Sequence, residues 1–338
     1  MNKEYHVLWD QKDKETYRVR TEVQQMTNQF ARELTPSLAQ EYIGSLVNHI
    51  GPEYHSYEQF VEKGKGVHRK LGREVYGPLI VGFLGWVERE LAKKQVAEGP
   101  VHFALRDAWP FYTAAHVLWD GSSVYYPVGT YLNRPLLGIE DEIAPENAHA
   151  NGFVLEYLQK NGIKDNGKPI ALVDSGAWGT VIRALKESHV SHTPLVPLFW
   201  YSHNPYIKGF LNDVLHDASL PLEFGEVLND SMECVFPQGY RRPVAFNIDG
   251  STRTLVLEKS DPLSVAWGQA ALEGVAEAAH RYKDGISHEE VIKSLEHVHA
   301  LSEMAKQTSE WTGVLPTHTP TWSKGDEFLA AWPENLLP

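Results

Sequence analysis

The chain has 338 residues, 42% apolar and 22% charged, enough for two domains or one enlarged domain around an ordinary core, so a disulfide mini-scaffold and global disorder are excluded. Its 44 acidic against 31 basic side chains give a net charge of −13, and so negative a surface repels the phosphate backbone on which nucleic-acid affinity rests. The single cysteine, Cys234, excludes an intrachain disulfide or a thiolate-held metal centre and fits a reducing cytoplasm. The opening segment MNKEYHVLWDQKDKETYRVR is charged throughout and has no signal-peptide pattern. The uncharged run Val75 to Val87 has 13 residues, short of the roughly 20 that cross a bilayer, so neither membrane nor nucleic acid is expected as a partner.

Residues 1–95 read as a helical region. Thr35-Pro36 supplies a cap and a first-turn proline, Gly51-Pro52 a stop, and Leu38, Tyr42, Ile43 and Leu46 recur at helical spacing between them. A further helix is expected to open near Gly77-Pro78 and run through LIVGFLGWVERELAKK. Residues 96–285 change texture, with short β-prone runs at Val101–Leu105, Val124–Val128, Ile170–Val173 and Pro194–Tyr201 separated by helical stretches. That alternation predicts an α/β fold, a mostly parallel sheet covered by helices. An insertion is expected near 205–260, with a hairpin turning at Asp249-Gly250. Residues 286–338 read as a C-terminal helix and an extended tail; Ser287 and Glu290 have capping-box spacing, and Val291, Leu295, Val298 and Leu301 form one stripe.

Two segments place chemistry at strand ends. In VHFALRDAWPF the strand ends at Arg106-Asp107 and a helix follows at once, with Asp107 suited to cap it. In IALVDSGAWGTVIRAL the strand is expected to end at Asp174, with Ser175, Gly176, Ala177, Trp178, Gly179 and Thr180 as a small-residue loop opening a helix. If both strands are parallel members of one sheet, Asp107 and Asp174 leave the same edge, each beside a helix N-terminus. The loop's amides would then suit a phosphate, and Asp174 a metal ion or sugar hydroxyls. Arg106 and Arg134, the latter after VYYPVGT, could neutralise phosphate oxygens there. A second reading stays open for each segment, a tight strand-to-helix turn with an aspartate cap. His297 and His299, two apart on a helix, do not share a face for a metal.

The succession YGPLIVGFLGWV, VHFALRDAW, YLNRPLL, IALVDSGAWGT and MECVFPQ resembles, over about residues 76–282, a poorly characterised region found downstream of a HAD-superfamily hydrolase domain in large bacterial proteins, often tied to cell-surface polysaccharide loci. This chain differs in having Ala108 where the family has glycine, Asn133-Arg134 for Ser-Arg-Arg, and Trp109 where the hydrolase superfamily places its second aspartate. The order of motifs also resembles type I phosphoribosyltransferases. That resemblance implies Asp174 facing ribose hydroxyls or Mg2+, residues 175–180 cradling a phosphate, and Arg106 and Arg134 steadying pyrophosphate. The departures are Val173 in place of a second acid and the bulky Trp178 in the loop.

The leading expectation is a cytoplasmic protein that binds a phosphorylated sugar or nucleotide, with phosphoribosyltransferase-like glycosyl transfer, Asp107 and Asp174 as catalytic residues and Mg2+ on Asp174. A homo-oligomer is compatible with it. Two alternatives stand beside it: a HAD-like Mg2+-dependent phosphohydrolase with Asp107 as nucleophile, and a non-catalytic interaction or regulatory module.

Overall fold

The structure is a computed structural model and describes residues 62, 65–66, 68–96, 98–105, 107–132, 150–177, 179–202, 209–236, 243–249, 252–257 and 262–307. The helix expected around residues 36–50 and the tail with Trp311, Trp322 and Trp332 lie outside these residues.

Four strands, β1 (Gly99–Leu105), β2 (Tyr125–Tyr131), β3 (Ile170–Ala177) and β4 (Leu195–Ser202), form a parallel sheet in the order β2-β1-β3-β4. Helices α2 (Trp109–Leu118), α3 (Ala150–Lys160) and α4 (Thr180–Ser188) make the crossovers. The path from β1 to β2 runs one way along the sheet, and the path from β2 through β3 to β4 runs the other. Right-handed crossovers then require the helices to change face. They do: Phe111, Ala114 and Ala115 of α2 join the larger core, while Val154 and Leu158 of α3 and Ala184 and Leu185 of α4 build a second core on the opposite face.

Helix α1 (Gly77–Lys93) opens at Gly77-Pro78, as the sequence predicts, but it does not follow a loop. A π-helical turn, Leu71–Tyr76, runs directly into it. Pro78 offers no N–H to the turn behind it, and the wider π turn makes room for its ring. Burial holds the turn in place, since Leu71, Val75 and Tyr76 are fully buried. The stretch expected to be an insertion contributes two core helices, α5 (Phe210–Asp217) and α6 (Glu223–Val235), whose Phe210, Leu215, Phe224 and Leu228 lie in the larger core. Here short amphipathic patterns were hidden among loop-like residues. The hairpin is present: β5 (Pro243–Asp249) pairs antiparallel with β6 (Thr252–Leu257), with Asp249 opposite Thr252.

Two long helices follow, α7 (Pro262–Arg281) and α8 (His288–Gln307). At the start of α8 the Ser287 N–H donates to Glu290 Oε2 (2.9 Å) and the Glu290 N–H to Ser287 Oγ (3.2 Å), the expected capping box. Ser287→Ala is expected to lower stability by about 1 kcal/mol in urea denaturation; an unchanged midpoint would show that the cap carries no stability. Val291, Leu295 and Val298 of the predicted stripe are buried, and His299 packs edge-on against Phe224, with ring centres 4.7 Å apart.

An aromatic hub joins the layers. Phe83 of α1 lies 4.7 Å from Phe111, 5.6 Å from both Trp200 and Phe210, and 5.9 Å from Trp86, measured between ring centres. Trp200 is fully buried, and its Nε1 has no hydrogen-bond partner among the described residues. Leaving such a donor unmet costs about 1–3 kcal/mol, which the packing of the large ring opposes.

Each sheet edge is blocked in part against further strands. The Gly99 N–H donates to Val124 C=O (2.9 Å) and the Leu132 N–H to Leu105 C=O (3.4 Å), so the even-numbered residues of β2 face β1 and the odd ones face outward. Of these, Pro127 brings no N–H, and the Tyr131 N–H donates to the Tyr157 hydroxyl at 2.9 Å. Burial pushes the Tyr157 phenol up to about 12, so it stays protonated and able to accept. At the other edge Gly209 bridges to Phe199, and the Asn212 amide accepts from the Ser202 N–H (3.0 Å) while donating to the Ser202 carbonyl (3.0 Å).

Candidate functional site

In parallel sheets of this kind, the place where successive crossovers leave in opposite directions opens a crevice at the carboxyl ends of two neighbouring strands. Here those strands are β1 and β3, paired Val101 to Ala171 and Phe103 to Val173. They are also the strands that carry Asp107 and Asp174. Continuing the register sets Ala104 level with Asp174, and Asp107 lies two residues beyond the end of β1. The two aspartates thus lie toward the carboxyl ends of adjacent strands, Asp107 past the end of β1 and Asp174 within β3, three residues before its end.

Locally each segment differs from expectation. Asp107 is half-buried in the turn after β1, but the N-cap of α2 is Ala108, with φ −86° and no side-chain cap. Pro110 in the first turn of α2 costs the helix no hydrogen bond, because the first amides have no intrahelical acceptor. The aspartate cap offered as the plainer reading of this turn is therefore not the arrangement seen.

β3 does not stop at Asp174. It continues through Ser175, Gly176 and Ala177, with Asp174 opposite Phe199, Gly176 opposite Tyr201 and Ala177 opposite Ser202. Loop-prone small residues are held in strand geometry because β4 offers a full row of pairing partners, and tertiary pairing outweighs weak local propensity. Asp174 and Ser175 are both buried, at 7% and 6% exposure. Alternation sets Asp174 on the face of Leu172 and Ala104, toward α3 and α4, and Ser175 on the face of Val173.

The chain turns from β3 into α4 through residues 178 and 179 alone. Gly179 adopts φ +66°, a left-handed conformation that favours glycine, and a Cβ there would stand 3.2 Å from Phe199 Cζ. Its N-cap, Gly179, has no side chain to cap α4, whose first turn, beginning at Thr180, carries the positive end of the helix dipole. The Phe199 ring packs beneath the bend and fixes its position. Arg106, Arg134 and Trp178 lie outside the described residues; Gly176 and Ala177 are placed as strand backbone, and Thr180 as the first residue of α4.

Among the described residues no group of three or more His, Cys, Asp or Glu side chains could hold a metal ion. A single buried carboxylate such as Asp174 suits Mg2+ only in its commonest protein setting, where one or two carboxylates share the ion with water and substrate phosphates. Absent from the sequence-based site is Asn212, which ties Gly209 and the carboxyl end of β4 together, accepting from the Gly209 N–H at 3.1 Å. The Gly-x-x-Asn spacing of an N-cap with its third helical residue was the signal available for it. Among the described residues no helix is long and apolar enough to cross a membrane. Comparison of the chain with protein-family models, curated proteins and solved structures gives no match.

Proposed function

We propose that this chain binds a phosphorylated sugar or nucleotide in the crevice between the carboxyl ends of β1 and β3 and carries out phosphoribosyltransferase-like glycosyl transfer there. The observation that carries this reading is the pairing of β1 with β3 at the point where the crossovers diverge, with Asp107 just past the end of β1 and Asp174 in the last half of β3. In this reading the first turn of α4 holds the sugar phosphate through backbone amides, and Asp174 orients the ribose hydroxyls. Two carboxylates at the edge favour the positive charge that develops on the sugar as the diphosphate departs. The protein's contribution is positioning and charge placement rather than a covalent intermediate. Mg2+ arriving with the diphosphate would be shared with Asp174 and would offset the phosphate charge.

The test is a thermal-shift titration of the full chain with 5-phosphoribosyl 1-diphosphate and Mg2+. Wild type is expected to show a saturable rise in Tm, and Asp174→Ala to weaken binding about tenfold or more, the loss of one charged contact. No shift with any phosphorylated ligand, or an equal shift in the variant, would refute the proposal. Release of phosphate from a monoester, abolished by Asp107→Asn, would move the assignment to a hydrolase.

A further inference from the structure

A cavity of about 610 Å3 lies away from this edge, between α1, the end of α2 and the turn joining α7 to α8. Trp119, which lines it, has its ring centre 6.4 Å from that of Tyr125 at the start of β2. Its volume falls within the range of about 300–1,000 Å3 that small-molecule sites occupy. Val81, Leu84, Leu118, Phe210, Ile286 and Val291 give it apolar walls. Glycines shape the floor, since a Cβ on Gly82 would meet Val291 Cγ2 at 2.5 Å, whereas one on Gly85 would approach only Arg89 Nη1, at 3.5 Å.

The charges on the lining are unevenly matched. Glu88, its one carboxylate, accepts from Trp119 Nε1 at 2.5 Å, and His288 is drawn to Asp217 at 3.0 Å. Arg89 folds back over Gly85, and Lys283 sits on the opposing turn; among the described residues neither pairs with a carboxylate. In a chain of net charge −13 with many acidic groups to spare, two such cations over an apolar recess complement a negative group joined to an apolar body.

We infer that this cavity is a second ligand site, one that takes a small organic anion with a ring-sized apolar body. The body lies on Gly85, Leu118 and Ile286, and the anionic group meets Arg89 and Lys283. This site is independent of the crevice at β1 and β3.

Fluorescence titration of the full chain tests it, using anilinonaphthalene sulfonate as the anion and phenylnaphthylamine as its uncharged counterpart. Gly85→Leu fills the recess at a position that is open in the structure and suits a helix better than glycine, so its fold is expected to persist, as checked by circular dichroism. Wild type is expected to show a one-to-one saturable component for the anion that Gly85→Leu removes. The pair Arg89→Met and Lys283→Met should weaken that component about tenfold while leaving the uncharged probe's affinity unchanged. A titration with no component sensitive to Gly85→Leu overturns the site; equal responses of both probes to loss of the two cations overturn its preference for anions.

Discussion

Gly274→Ala is expected to cost about 3 kcal/mol of folding stability, at the upper end of overpacking penalties. An added Cβ would stand 2.1 Å from Arg69 O and 2.8 Å from the Arg73 nitrogen, and across the same crossing a Cβ on Gly72 would stand 2.0 Å from Ala271 O. Both obstacles are backbone, so no rotamer change relieves them, and the helical segment before α1 must move off α7. The intrinsic helix gain of alanine over glycine, about 1 kcal/mol, is too small to offset that displacement. Ion pairs ring the crossing, Arg69 and Arg73 with Glu277 and Arg281 with Glu74, and hold Glu277 and Glu74 below the usual carboxylate range. Such half-exposed pairs contribute little, so close backbone contact is what the two glycines preserve. Gly85→Ala on α1, where the space is open, should instead be neutral or stabilising by up to about 1 kcal/mol. Urea denaturation of both variants checks this, and a Gly274→Ala protein as stable as wild type would show that the helices do not meet as described.

The second expectation concerns acid. His102 is 1% exposed at the centre of β1, with Nδ1 3.4 Å from Thr130 Oγ1 and its ring beneath Gly162. Burial lowers its pKa from 6.5 to about 4, so the folded chain holds it neutral. Between those values the unfolded chain binds a proton that the folded chain does not, so stability falls as pH drops through the window. Above pH 6.5 both states are neutral and the effect vanishes; below about 4 it has levelled off, at a loss of up to about 3 kcal/mol. His102→Leu should remove this dependence. The stability difference between variant and wild type should shift in the variant's favour by about 2–3 kcal/mol between about pH 7.5 and about pH 4.5. A difference that stays constant across that range would show that His102 is not buried as a neutral ring.

Much of the site can be read along the chain. The end of β1 just before Asp107, the alternation that makes the sheet parallel, the hairpin at Asp249 and the cap at Ser287 all follow from short-range rules. The details that failed share a cause. Residues 175–177 look like a loop until β4 supplies partners, and Asp107 looks like a cap until the turn assigns that position to Ala108. In each case a local preference of about 1 kcal/mol gives way to burial or pairing worth more.

Residue order alone fixes which side chains can do chemistry and that they lie near the ends of strands, because patterning and turn chemistry act over a few neighbours. It does not fix that β1 lies beside β3. That adjacency follows from the handedness of three crossovers and from which helix faces bury on which side of the sheet. The cavity beside Arg89 and Lys283 and the backbone contact at Gly72 and Gly274 likewise arise only when segments some two hundred residues apart pack together, because long-range contact is set by the summed burial of the whole chain and not by any stretch of it.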